Sequence, residues 1–122
     1  MATAKDFRRV ALSLEGTTEA PHFDRTAFRV KRIYATLAAD GKTANFMFTP
    51  DEQALKCELA PEAFSVIANA WGARGATTGT LSALSVAELS DALTVAWRHA
   101  VPAKPGRRGV IPSGKFSRQR GK

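Results

Sequence analysis

The sequence is poor in the residues that most often carry enzyme chemistry, with one cysteine and two histidines among 122 residues. A lone thiol, Cys57, excludes an intramolecular disulfide and gives no sign of an oxidising compartment. With only His22 and His99 beside it, Cys57 cannot build a CxxC-type zinc site, so no metal is expected. P-loop, G-x-G-x-x-G, G-x-S-x-G and H-E-x-x-H motifs are all missing, which leaves no cofactor and no catalytic residue to assign. Long apolar runs are missing too. No stretch approaches the roughly 18 apolar residues that a membrane span needs. Residues 1–16 carry charges inside their apolar pattern and lack the hydrophobic region of a signal peptide. These absences together predict a cytoplasmic, non-enzymatic protein without a membrane partner.

Acidic side chains are absent from one segment in particular. Residues 104–122 (KPGRRGVIPSGKFSRQRGK) hold seven of the eighteen Lys+Arg and none of the eleven Asp+Glu. Residues 1–103 therefore carry eleven basic and eleven acidic groups and are formally neutral, so the overall charge of +7 belongs to the tail. The tail has few large apolar residues, Val110, Ile111 and Phe116, and cannot offset its ordering entropy by burial; it is expected to be disordered when free. Two units follow: a folded domain over 1–103 and a basic tail over 104–122. Within the tail, Arg107, Arg108, Arg118 and Arg120 are the candidate nucleic-acid contacts. Neutralising seven phosphates would give a salt slope of up to roughly six. A solubilising role explains the same composition.

Along the folded part, Thr3 and Asp6 mark a capped first helix with Phe7, Val10, Ala11 and Leu14 on one face and Gly16 at its end. Strands are predicted at about 27–31, 33–39 and 43–49, with a tight turn at Lys31-Arg32 and a type I′ hairpin at Asp40-Gly41. Thr49-Pro50-Asp51-Glu52 reads as another helix start, and Pro61 as the opening of a short helix bearing Phe64, Ile67 and Ala68. Glycine-rich AWGARGATTG shows no helical period, and Thr78 to Leu84 suits a last strand. Ser85 and Glu88 cap a final helix whose stripe, Val86, Leu89, Leu93, Ala96 and Trp97, is expected in the core. The order α-β-β-β-α-α-β-α predicts an α+β fold, a mostly antiparallel sheet with about three helices on one face.

Several constellations have competing explanations. Cys57 with His22 as base is formally a nucleophile pair, yet nothing places a third group beside them, and a small hydrophobe explains Cys57 better. Asp51-Glu52 suits the first turn of a helix better than an acid/base pair. Gly72-Ala73-Arg74-Gly75 resembles a GxxG nucleic-acid clamp, but the strand-like residues that follow favour a sharp turn with positive φ. Arg29, Lys31, Arg32 and Lys42 cluster around the predicted hairpins, either as a DNA-contacting wing or as charges that guard strand edges. Tyr34, Phe46 and Phe48 could stack bases, although the period-two spacing of the two phenylalanines suits a core.

Two separated blocks resemble the MmcQ/YjbR family. The first is His22-Phe23, Ala27-Phe28-Arg29-Val30 and Ile33-Tyr34-Ala35-Thr36-Leu37. The second is Thr49-Pro50, the run Trp71 to Thr77, and Asp91-Ala92-Leu93 with Ala96-Trp97. The resemblance covers about residues 3–103, and departs from the family where Lys31-Arg32 and Ala76 replace glycine and tryptophan. It implies a compact α+β domain shaped like type III secretion chaperones and a DNA-binding "double wing" label that rests on fold likeness. On this reading Arg29, Lys31, Lys42 and Arg74, with the tail arginines, contact DNA weakly and without sequence preference, mostly through the tail. The alternative is a protein–protein interaction module. A DNA-binding body should gather its cations on one face, whereas an interaction module should expose an apolar patch.

Overall fold

Three reciprocal capping boxes start the three long helices, each where the sequence places it. Thr3 and Asp6 open α1 (Ala4–Ser13), Thr49 and Glu52 open α2 (Pro50–Leu59), and Ser85 and Glu88 open α4 (Val86–Ala100). In each box the hydroxyl accepts from the N3 amide while the N3 carboxylate accepts from the cap amide, satisfying two amides that the helix cannot. The computed structural model describes residues 1–101; the tail 104–122, with Arg107, Arg108, Arg118 and Arg120, lies outside the described residues.

The strands are β1 (Thr18–His22), β2 (Arg25–Arg29), β3 (Ile33–Ala38), β4 (Thr43–Met47), β5 (Phe64–Val66) and β6 (Ala76–Thr80). They form one sheet in the order β1-β2-β3-β4-β6-β5, antiparallel throughout. β2, β3 and β4 fall within two residues of their predicted limits. β1 was not expected from the sequence: Pro21 hides its pattern, and is tolerated because β1 is an edge strand. Residues 64–66 form a strand rather than the helix predicted after Pro61. Phe64 pairs with Gly79 and packs edge-on to Phe46, 6.1 Å between centroids, so tertiary pairing overrides a three-residue local pattern. The glycine-rich segment contains one helical turn, α3 (Ala70–Ala73), capped by the Asn69 side chain, and the last strand ends at Thr80 with a 3-10 turn behind it.

The hairpin at Asp40-Gly41 is present, but its turn is not type I′. Gly41 alone is left-handed, at φ 72°, and its N–H donates to Ala38 O at 2.9 Å; Asp40 Oδ1 accepts from the Lys42 N–H instead. That side-chain bond satisfies the turn without a second residue at positive φ.

α1, α2 and α4 cover one face of the sheet. Their core meets Phe28, Ala35, Ala44 and Phe46 from the strands, with Phe7, Leu89 and Leu93 fully buried between the layers. Phe46 and Phe48 stack at 5.6 Å inside this core, and Tyr34 is buried with its hydroxyl donating to Ala11 O. None of the three offers a face to a base. Leu89, Leu93 and Ala96 take the expected places in the last helix, whereas Val86 is exposed and Trp97 only partly buried. Trp97 sits at the core's margin because its indole N–H reaches Glu15 O, 2.9 Å away.

Candidate functional site

The second face of the sheet is left open by the three long helices, and the register dictates what it presents. Arg25, Ala27 and Arg29 alternate onto it from β2, Thr36 from β3, Asn45 and Met47 from β4, and Ala76 and Thr78 from β6. A bulge between Phe28 and Arg29 pairs Arg29 with Ile33, which brings Ile33 to this face and leaves Tyr34 in the core. Arg25 is fixed on the surface by its Nε donating to Thr36 Oγ1 at 2.8 Å.

A groove of about 730 Å³ runs over this face. Its floor is Thr36, Asn45 and Met47, and its rim is Phe23 and Arg25 on one side and Arg32, Ile67 and Trp71 on the other. A second cavity of about 350 Å³ adjoins it, sharing Arg32, Ile33, Met47, Trp71 and Ala76 and adding Arg74, His99 and Ala100 from α4's last turn. The Arg32 guanidinium donates to His99 O and thereby ties the β2–β3 turn to that helix end. The Arg74 guanidinium lies 5.9 Å from the centroid of the Trp71 ring, an exposed cation–π contact.

Two glycines hold α3 and β6 in place. Gly75 is left-handed at φ 115°, and a Cβ there would lie 2.0 Å from Phe48 O. Gly72 needs no special φ; a Cβ would stand 1.6 Å from Ile67 O. The GARG segment thus joins a helical turn to a strand rather than two helices; the positive-φ turn is found at Gly75, whereas Gly72 is helical. Gln53, buried in α2, locks the same segment by donating through Nε2 to Gly72 O and Ala76 O, both at 2.9 Å.

Of the predicted contacts, Arg29, Lys31 and Arg74 lie at one end of the sheet and are exposed. Lys42 sits in the β3–β4 turn at the opposite end, about 17 Å away along β3 at the usual rise per residue. Three of the four are brought together; Lys42 is not. Arg25, Phe23 and Trp71 were missed as site residues. A period-two count back from Arg29 finds Arg25, but no local pattern reveals which aromatics stay in water.

Cys57 and His22 are not brought together. Cys57 lies on α2 over β5 and β6, while His22 ends β1, some four strand spacings or roughly 19 Å across the sheet. Burial pushes the Cys57 thiol up, so little of it is thiolate near neutrality. Burial would also raise Glu52, but the Thr49 amide and His99, whose Nε2 is 2.7 Å from Oε1, outweigh it and lower its pKa. Glu52 is thereby occupied as a cap. Among the described residues, no three His, Cys, Asp or Glu side chains are placed to hold a metal ion, and no helix is long and apolar enough to cross a membrane.

The formal neutrality of the folded part conceals a division of charge. Segments 18–49 and 64–80, which hold all six strands, carry six cations (Arg25, Arg29, Lys31, Arg32, Lys42, Arg74) against Glu19, Asp24 and Asp40, a surplus of three. The remaining described residues, mostly helical, carry five cations against eight acids, a deficit of three. A Lys56–Asp91 pair neutralises part of the helical side, and Arg8 pairs with Glu19 of β1.

No curated protein matches this chain. A crystal structure of a Deinococcus radiodurans protein with a DUF419 domain is similar in fold, with a TM-score of 0.67 at 20% identity over 79% of this chain and 76% of that one. The profile of the YjbR family matches residues 12–99, which span all six strands, α2 and nearly all of α4. With the six-stranded antiparallel sheet and its three covering helices, the chain belongs to the YjbR family.

Proposed function

We propose that the strand-side face binds DNA through backbone phosphates, weakly and without sequence preference. The observation that supports this is the surplus of three positive charges in the segments that build the strand side of a body with no net charge. Sequence alone assigns attraction for phosphate to the tail because it sees only the sum of charges. Segregation gives the body a cationic side that can steer and hold a polyanion. At about 0.9 per phosphate contact, Arg29, Lys31, Arg32 and Arg74 account for a salt slope of roughly three to four, and the tail adds to it.

The test is titration of the full chain with DNA between low and physiological salt. One variant reverses the face (R29E/K31E/R74E) and another removes the tail charges (R107A/R108A/R118A/R120A). Loss of affinity and of slope in the first supports the reading. Unchanged affinity and slope in the first, with loss only in the second, would assign binding to the tail alone.

A second reading, a protein-interaction module, has its own observation. Leu55 and Leu59, one helical turn apart on α2, are 54% and 72% exposed, next to the edge strand β5. Pull-down that depends on L55E/L59E and ignores the strand-side charges would favour it.

A further inference from the structure

We infer that the nucleic acid taken by the groove is single-stranded, with Phe23 and Trp71 as its base-stacking platforms. This rests on the nucleic-acid reading of the strand-side face. Phe23 begins a two-residue turn between His22 and Arg25, with φ at 59°, a position that glycine or asparagine normally fills. Its ring is 95% exposed, so burial does not offset the strain. A bulky side chain held in a costly conformation and left in water points to a contact made outside the molecule. The His22 ring stands edge-on at 4.8 Å and limits where the Phe23 ring can swing.

Among the described residues Trp71 is the other large aromatic left in water, 61% exposed at the far rim of the same groove. Arg25 on the Phe23 rim and Arg32 on the Trp71 rim are the phosphate partners, and Asp24 is the one acid in the lining. On the floor, the Thr78 hydroxyl lies 2.9 Å from Asn45 Oδ1, which leaves the Asn45 amide NH₂ as a donor for a base edge. Duplex DNA hides the faces of its bases, so two exposed rings gain nothing from it. Unpaired bases present those faces, and stacking on aromatic side chains tolerates any sequence. Cations beside aromatics in a concave, strand-floored groove match an unpaired strand on both counts.

The experiment uses the full chain with oligo-dT, oligo-rU of about 12 nucleotides, and a duplex of the same length, read by anisotropy at physiological salt. Single strands should bind about tenfold more tightly than duplex. W71A and F23A should each weaken single-strand binding by about tenfold while leaving duplex binding unchanged, and W71F should retain most of it. Oligo-dT should also quench the emission that wild type has and W71F lacks. Both rings are exposed, so neither variant threatens the core. The dT and rU arms assign the sugar of the strand. Equal affinity for duplex and single strands, or unaltered single-strand binding by W71A and F23A, overturns the inference; if R29E/K31E/R74E still abolishes binding, the DNA reading survives it. Absence of all binding at low salt removes both.

Discussion

Replacing Gln53 by methionine tests whether one buried amide holds the groove's far wall. Gln53 is the most informative polar group inside the fold, because its Nε2 ties α2 to Gly72, next to Trp71, and to Ala76, on the far side of Arg74. An orphaned buried carbonyl costs about 1–3 kcal/mol, which for two would suggest up to about 6. Neither carbonyl is orphaned, however. Gly72 O keeps the Gly75 N–H at 3.0 Å and Ala76 O keeps the Ile67 N–H at 3.3 Å. What Gln53→Met removes is the second partner of each, about 1 kcal/mol apiece, and the apolar side chain leaves little room for water to replace it. A loss of about 2 kcal/mol is expected in urea unfolding, with the slope unchanged. Gln53→Ala opens space for a bridging water and should lose no more through these bonds. A loss below about 0.5 kcal/mol for the methionine variant would refute the reasoning. It would mean that the glycine turn holds α3 and β6 without the amide.

Phe23→Asn should raise stability by about 1 kcal/mol, since asparagine tolerates the left-handed region and the ring it replaces touches only the exposed His22 ring; an unchanged urea midpoint would show that the turn relaxes at no cost. Gly75→Ala should cost about 3 kcal/mol or more, because the added methyl meets Phe48 O in a backbone conformation alanine avoids; soluble protein with a wild-type thermal midpoint would contradict this. Asp6, held down chiefly by Arg9, Glu88, by the Ser85 amide, and Glu52 all have lowered pKa values in the fold. Their contribution is fully present above the ordinary carboxyl value, near 4.5 for Glu, and is lost as pH falls through the lowered values. Urea midpoints should therefore be level from neutrality to about pH 5 and fall below it, and Glu52→Gln should flatten part of that fall.

The helices were legible because their signals are local. Thr3, Thr49 and Ser85 each precede an acid by three residues, and the structure realises all three boxes. The central strands were legible for the same reason, through period two on both sides of Asp40-Gly41. What was not legible depends on partners distant in sequence. β5 exists because Phe64 meets Gly79, and β1 because an edge position forgives Pro21. The site follows the same division. Arg29, Lys31 and Arg74 were named from charge alone, but only topology gathers them at one end and sends Lys42 to the other. Sums of charge also mislead where folding separates the signs, as between the helical and strand sides here.

The last turn of α4 ends beside the smaller cavity, with His99 and Ala100 in its wall next to Arg32 and Arg74. Seven further cations are therefore tethered covalently to the cationic end of the groove. On the proposed reading, a strand caught in the groove meets the tail as an intramolecular partner, at an effective concentration that the covalent link sets. Either contact can then break and re-form before the ligand escapes. The sequence after α4 acts on residence time more than on first encounter, and the same peptide supplied in trans would not replace it.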